Sequence, residues 1–453
     1  MTELEKFRYL GVALPEAVLS YKYYGDFDGE IRAIDEYLKR DALPEALKIR
    51  LEVERTIAKG MKSEYTVTED EAFTALCERY DGFTREEMLR MMDGGMLEWR
   101  FIGGRKMLSS YYLSSLSQKQ TELFARRKAP AQGVSEKVRM IHECIDEMKT
   151  KGYAKRRIRI RQELSLKKEA ERIGEKVRVH LPFPLECEEQ TDVRLISCSH
   201  PCTIGGKGQR TVFIETELCG GDLFFVEYEY TIRMDYKCPD PALVSDAQPD
   251  FMTDEREPHI VFTPLIRMAA REICGEETNP LLKARRIYDY VTKNLRYSYM
   301  REYLLIESIP EFALTSTVGD CGVLGLLFIT LCRASGIPAG WQSGLSVYPF
   351  RVGAHDWVKY YIEPFGMLHA DLSGGEDAAE KGDRIRHDHY FCNVDPFRMI
   401  ANNEFMAELE PPKRFCRIDP YDNQSGEIEY NDRGVTCNEI IKAKILLGFE
   451  KED

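Results

Sequence analysis

The sequence predicts a multidomain α+β protein: a mainly helical N-terminal domain over residues 1–152, an antiparallel β-sandwich over 153–250, and an α+β core with a C-terminal extension over 251–453. Three observations carry this reading. Apolar residues recur at spacings of three and four up to about residue 152, switch to a period of two until about 240, and then return to the helical spacing. At 453 residues the chain exceeds what one hydrophobic core serves, so about two to four domains are expected. Its composition, 43% apolar and 31% charged, is that of a globular protein without low-complexity tracts.

In the N-terminal region two helix starts carry capping boxes, Thr68 with Glu71 and Thr84 with Glu87, in which each side chain satisfies an otherwise orphaned backbone donor. A hairpin interrupts the helices. Leu97 to Ile102 and Arg105 to Tyr112 flank Gly103-Gly104, and paired glycines supply the positive φ angles of a two-residue turn. A further helix starts near Ser135 and stops at Gly152. The sandwich region opens with Arg157 to Lys167, where Arg157, Arg159 and Arg161 alternate with Ile158 and Ile160. Val177 to Leu181, Thr211 to Thr216 and Val226 to Tyr236 follow with the same alternation. Gly205 to Gly208 lies between strands and lacks a phosphate-loop pattern, so it reads as a turn.

The acidic, proline-bearing segment Cys238 to Pro258 reads as a linker. Beyond it, Asn279-Pro280 opens a helix, and a second helix runs from Asp320 to about Ala334, stopped by Ser335-Gly336-Ile337-Pro338. Strands are expected at Gly340 to Val347, Trp357 to Ile362 and Met367 to Asp371.

Charge and segment content exclude several classes. A net charge of −13 repels a phosphate backbone, and the arginines of Lys155 to Arg161 read as the solvent face of one strand, so nucleic acid is not an expected partner. No window approaches the roughly 20 apolar residues of a membrane span. The first residues lack a basic stretch followed by an apolar run, and the 13 cysteines form no framework of spacings, so a cytoplasmic, reducing location is expected.

The chemistry concentrates around Cys321. This residue follows Gly319 and the N-cap Asp320 and opens an apolar helix, where free amides and the helix dipole favour a thiolate and can hold an oxyanion. A thiol nucleophile needs a base, and the base needs an acceptor that fixes its tautomer. His355 begins one strand and Asp371 ends the next after the turn Glu363 to Gly366; antiparallel pairing brings such positions side by side. Trp341 and Gln342, on the strand after the helix, are candidates for lining the site or donating to the oxyanion, with strand core as the other reading for Trp341. Cys332 lies eleven residues on, about 16 Å along the helix, and reads as core.

GDCGVLGLLFITLCRASGIPA followed by HDWVKYYIEPFGMLHADLSGG resembles the core of the transglutaminase-like superfamily, including bacterial transglutaminase-like domain proteins with a papain-like Cys-His-Asp arrangement. Asn294-Leu295-Arg296-Tyr297 resembles the segment that precedes that core, and Leu181-Pro182-Phe183-Pro184 a strand end of the preceding sandwich. The resemblance implies Cys321 as nucleophile, His355 as base and Asp371 as orienting acid, without a cofactor. Met367 stands after the turn glycine where the family often has tryptophan. The implied activity is hydrolysis of an amide bond in a peptide or protein through an acyl-thioester. Transfer to an amine or deamidation is the alternative with the same triad, and a binding or scaffold protein with a vestigial triad is the alternative without turnover. Cys198, His200 and Cys202 lack a fourth ligand and a second knuckle for zinc, and His387 and His389, with His369, read as polar surface or substrate contacts beside a strand Tyr390-Phe391, so no metal is expected.

Overall fold

The computed structural model describes residues 1–116, 123, 125–128 and 134–453. In the N-terminal part, helices α1 (Glu16–Tyr24), α2 (Phe27–Leu38), α3 (Glu45–Glu64), α4 (Glu69–Arg79) and α5 (Arg85–Asp93) surround a three-stranded sheet of β1 (Tyr65–Thr68), β2 (Trp99–Ile102) and β3 (Arg105–Ser109). Local chemistry sets the boundaries. Thr68 forms the reciprocal capping box with Glu71, and Thr84 accepts the Glu87 amide. Gly103 and Gly104 take φ of 55° and 79° and let β2 turn directly into β3. A short helix, α6 (Tyr112–Leu116), follows. Leu76, Met88, Met92, Leu97 and Leu108 fill this unit's own core.

Helix α7 (Val134–Lys151) lays Ile141, Ile145 and Met148 against the next unit and ends at Gly152, whose amide bonds Met148 O at 2.9 Å. That unit is a sandwich of two four-stranded sheets. Its strands are β4 (Tyr153–Leu166), β5 (Lys176–Pro182), β6 (Gln190–Cys198), β7 (Thr203–Gly205), β8 (Thr211–Glu217) and β9 (Leu223–Asp235), completed by β16 (Glu427–Tyr430) and β17 (Ile440–Glu452) from the far end of the chain. The orders are β17-β4-β9-β6 and β16-β5-β8-β7. Along β4, Ala154, Ile158, Ile160 and Leu164 turn inward, while Arg157, Arg159 and Arg161 face outward onto Glu452, Glu227 and Glu163. The basic stripe of the sequence is therefore neutralised within its own sheet. The C-terminal extension, expected to follow the core, returns instead to the sandwich: β17 runs antiparallel to β4 from Ile440↔Leu166 to Glu452↔Lys155.

The remaining unit contains α8 (Pro264–Cys274), α9 (Pro280–Asn294), α10 (Ile309–Ser316) and the buried α11 (Cys321–Ala334), with a two-residue parallel pair formed by β10 (Arg296–Tyr297) and β11 (Val318–Gly319). Its sheet has the order β14-β13-β12-β15, built from β12 (Ala339–Tyr348), β13 (Arg351–Ile362), β14 (Gly366–Ala370) and β15 (Arg398–Asn402). Helices α12 (Leu372–Glu380) and α13 (Arg384–Cys392) connect β14 to β15. The segment around Tyr390-Phe391, expected as strand, is helical because Asp383 caps it and Arg386 pairs with Asp383 and Asp377. The sandwich grips the core sheet through β15: Leu185 N bonds Ile400 O at 2.8 Å, Gln190 spans Leu185 O and Ile400 O, and Tyr230 OH donates to Arg398 O at 2.9 Å. Among the described residues no helix is long and apolar enough to cross a membrane.

Because β17 pairs with β4 from Lys155 to Leu166, deletion of residues 440–453 is expected to leave a long unpaired strand edge. We expect the truncated chain to lose more than about 10 °C in melting midpoint and to shift toward the insoluble fraction, measured by circular dichroism and sedimentation.

Candidate active site

Helix α11 begins where the β10–β11 pair delivers the chain to Asp320. The Asp320 carboxylate accepts the Val323 amide at 3.2 Å, satisfying an orphaned donor, and also accepts from the Tyr303 hydroxyl. Cys321 is thus the first residue of the helix, half-buried at its positive end. Glycines let this end approach the sheet. A Cβ on Gly322 would meet the Tyr303 hydroxyl at 2.3 Å and Asp356 Oδ2 at 2.8 Å, and one on Gly325 would sit 3.3 Å from Val358. Any larger residue at 322 would push the sulfur away from β13.

Successive side chains on a strand point to opposite faces, and β13 uses both. Asp356, Val358 and Tyr360 face α11: the Cys321 thiol donates to Asp356 Oδ2 at 3.2 Å, and the Tyr360 ring packs 5.7 Å from Phe328. His355 and Trp357 occupy the other face with rings 5.9 Å apart. There His355 Nε2 lies 2.7 Å from Asp371 Oδ2. The ladder between β13 and β14 ends at Val358↔Ala370, so the flank of β13 beside Asp356 has no strand partner. The Cys321 thiol reaches this part of β13 from the α11 side, at the Asp356 carboxylate. Side-chain contacts thus join Cys321 to Asp356 on one face of β13 and His355 to Asp371 on the other.

Asp371 caps α12, accepting the Gly374 amide at 2.8 Å and the Ser373 hydroxyl at 3.1 Å, while Arg398 Nη2 donates to its other oxygen at 2.7 Å. Burial opposes its ionisation, but His355, Arg398 and the amide outweigh burial and hold the carboxyl well below the usual range. Arg398 in turn pairs with Asp395, which accepts from the Tyr390 hydroxyl at 2.9 Å. The imidazole is thereby oriented through Nε2, leaving Nδ1 as the nitrogen available to take a proton.

The thiol is in a different electrostatic state from the one its helix position alone predicts. Burial, followed by the carboxylates of Asp356 and Asp320, pushes Cys321 well above the ordinary thiol value, against a smaller opposing effect of the Asp356 amide. Both carboxylates are raised by burial, Asp356 to about 7 and Asp320 to about 6. The thiol donates to Asp356, and both groups are shifted toward their protonated forms. The Val323 amide at the helix end is already taken by Asp320, and Asp356, which the sequence pattern did not place there, holds the thiol.

Of the other sequence candidates, Trp341 is core: it is 2% exposed and packs 5.5 Å from Phe405. Gln342 is buried, with its carbonyl accepting from Trp357 Nε1 and its amide donating to Asn403 at 3.3 Å. Both support the sheet under the site. The three histidines considered for a metal separate: His369 pairs with Glu189 at 2.9 Å, His387 bonds Thr292 at 3.0 Å, and His389 is buried and stacked on Tyr236. Among the described residues no group of three or more His, Cys, Asp or Glu could hold a metal ion. Sequence reasoning missed Asp356, Arg398 as the partner of Asp371, and Gln424, which donates to His355 O at 3.1 Å and to Asp356 Oδ1.

A sequence profile of the transglutaminase-like superfamily matches residues 267–372, the stretch that contains all three proposed triad positions. An uncharacterized protein of Haemophilus influenzae is 32% identical over 129 residues, which is 26% of this chain and 32% of that protein, so the match spans about a third of the relative. Among solved structures, a candidate cysteine protease of Cytophaga hutchinsonii aligns with 66% of this chain and 91% of its own at 16% identity and a TM-score of 0.45. The periplasmic domain of TgpA from Pseudomonas aeruginosa aligns with 54% of this chain and 95% of its own at 14% identity and a TM-score of 0.28.

Two outcomes are expected from this geometry. Asp356 has a folded-state value above its unfolded one, so the folded chain binds more protons and its stability falls as pH rises from about 4 to about 7. Asp356→Asn should narrow the stability difference between pH 5 and pH 8 by on the order of 2 kcal/mol and speed iodoacetamide alkylation of Cys321 several-fold at pH 8. Denaturant titration and peptide mass spectrometry read the two effects. Arg398→Met leaves the buried Asp371 and Asp395 carboxylates short of their shared cation and should cost about 3–5 kcal/mol in a urea melt.

Proposed function

We propose that this chain, whose residues 267–372 form a transglutaminase-like core, is a cysteine-dependent hydrolase that cleaves amide bonds of a peptide or protein through an acyl-thioester on Cys321. The observation that supports it most directly is the buried Asp371, which orients His355 at 2.7 Å one strand position from the residue that holds the Cys321 thiol. In the acylation step His355 Nδ1 takes the thiol proton and the sulfur attacks the carbonyl carbon. The oxyanion that forms is next to the first amides of α11, at the positive end of the helix. Collapse of the tetrahedral adduct breaks the C–N bond, and the imidazolium returns its proton to the leaving amine. Water, deprotonated by the same imidazole, then attacks the thioester, releasing the carboxylic acid and restoring the thiol. An amine in place of water gives acyl transfer, and a glutamine side chain as substrate gives deamidation.

Substrate entry must exchange the Cys321–Asp356 hydrogen bond for a Cys321–His355 interaction. That resting bond also favours a second reading, a binding protein that retains the triad residues without turnover. The two separate experimentally. A peptide pool incubated with the chain, with and without a primary amine, is expected to yield hydrolysed products by mass spectrometry. Cys321→Ala should abolish them, and Asp371→Asn should lower kcat by about 10²–10⁴. A Cys321→Ala chain that keeps every measurable property of the parent, together with Cys321 alkylation no faster than at the other cysteines, removes the hydrolase reading.

A further inference from the structure

A cavity of about 530 Å³ opens where the end of β9, the segment after it, the start of α9 and the outer side of α13 meet. It shares no lining residue with the Cys321 site and lies behind α13. The volume is that of a small-molecule site. Leu281, Phe391 and the Tyr236 ring give it apolar walls, with Leu282 and Ile385 exposed at the mouth. Its lining also includes His389, 4% exposed, stacked on Tyr236 at 6.4 Å, and with neither ring nitrogen hydrogen bonded. A buried imidazole without a partner is costly unless something supplies one.

The charge on the lining is one-sided. Arg285 and Arg384 are matched by Asp289 and Asp388. Lys149 and Lys237, both exposed on the lining, have no carboxylate within ion-pair distance among the described residues. Two unmatched ammonium groups above an apolar chamber with an unsatisfied imidazole define a complementary ligand: an anionic head and an apolar body of several carbons. We propose that this cavity is a binding site for small amphiphilic monoanions, carboxylates with an aliphatic or aryl body, separate from the thiol site.

Sodium octanoate is the probe, and octanamide, of the same length and uncharged, is its control. Isothermal titration of the full chain should show octanoate bound at least about tenfold more tightly than octanamide. The exposed pair Lys149→Met with Lys237→Met should bring octanoate to the octanamide level, and Leu282→Trp, which narrows the mouth, should weaken both ligands. Cys238, an exposed thiol on the same lining, gives a local readout. Octanoate should slow its alkylation several-fold while leaving the exposed Cys219, which does not line the cavity, unchanged. Equal affinity for the two ligands, no binding at millimolar octanoate, binding indifferent to both sets of substitutions, or equal protection of Cys238 and Cys219 overturns the assignment.

Discussion

A single buried carboxylate, that of Asp371, holds the core together. It ends β14, starts α12, accepts the imidazole of β13 and the guanidinium of β15, and so ties four elements to one point. A lone carboxylate that far from water would protonate. Here the partners keep it charged, and the same partners are thereby fixed in place. Arg398 extends the constraint to Asp395 and, through its backbone carbonyl, to Tyr230 of the sandwich. The orientation of His355 is thus a property of the whole core and not of one contact.

On the opposite face of β13 the constraint has the other sign. Asp320, Asp356, Asp419 and Asp422 are buried near one another, and all are raised, mainly by burial. Such a cluster favours protonated groups, and the thiol of Cys321 shares that preference. One strand therefore separates a face where charged partners hold an acid's value down from one where burial raises the values of acids and a thiol. The thiol meets the second of these through Asp356, which Gln424 also holds, so a movement of either side chain alters the surroundings of the sulfur.

Much of this was legible in the sequence, and for identifiable reasons. The helix of Cys321 announces itself through an N-cap, an apolar run and a glycine stop, all short-range signals, and β13 and β14 through alternation and a tight turn. The approach of His355 to Asp371 follows from antiparallel geometry alone. Asp356 stood in the sequence beside His355, but strand alternation assigns it to the opposite face, and only the depth of α11 against the sheet shows that the sulfur reaches it. Arg398 and Gln424 had no local signal, because their partners are 27 and 68–69 residues away. The helical state of Arg384–Cys392 was hidden by its aromatic content, which resembles strand until the Asp383 cap and its arginine pairs are seen. The return of β16 and β17 to the sandwich is a long-range pairing that no local pattern specifies.

That pairing sets an order of events during synthesis. The strand beginning at Tyr153 emerges from the ribosome long before its neighbour beginning at Ile440, whereas every strand of the core sheet is made between residues 339 and 402. That sheet can therefore assemble from nearby pieces while one flank of the sandwich still waits. In that interval Lys155 and Arg157 lack Glu452, and the start of β4 carries two cations that the finished protein pairs with one carboxylate.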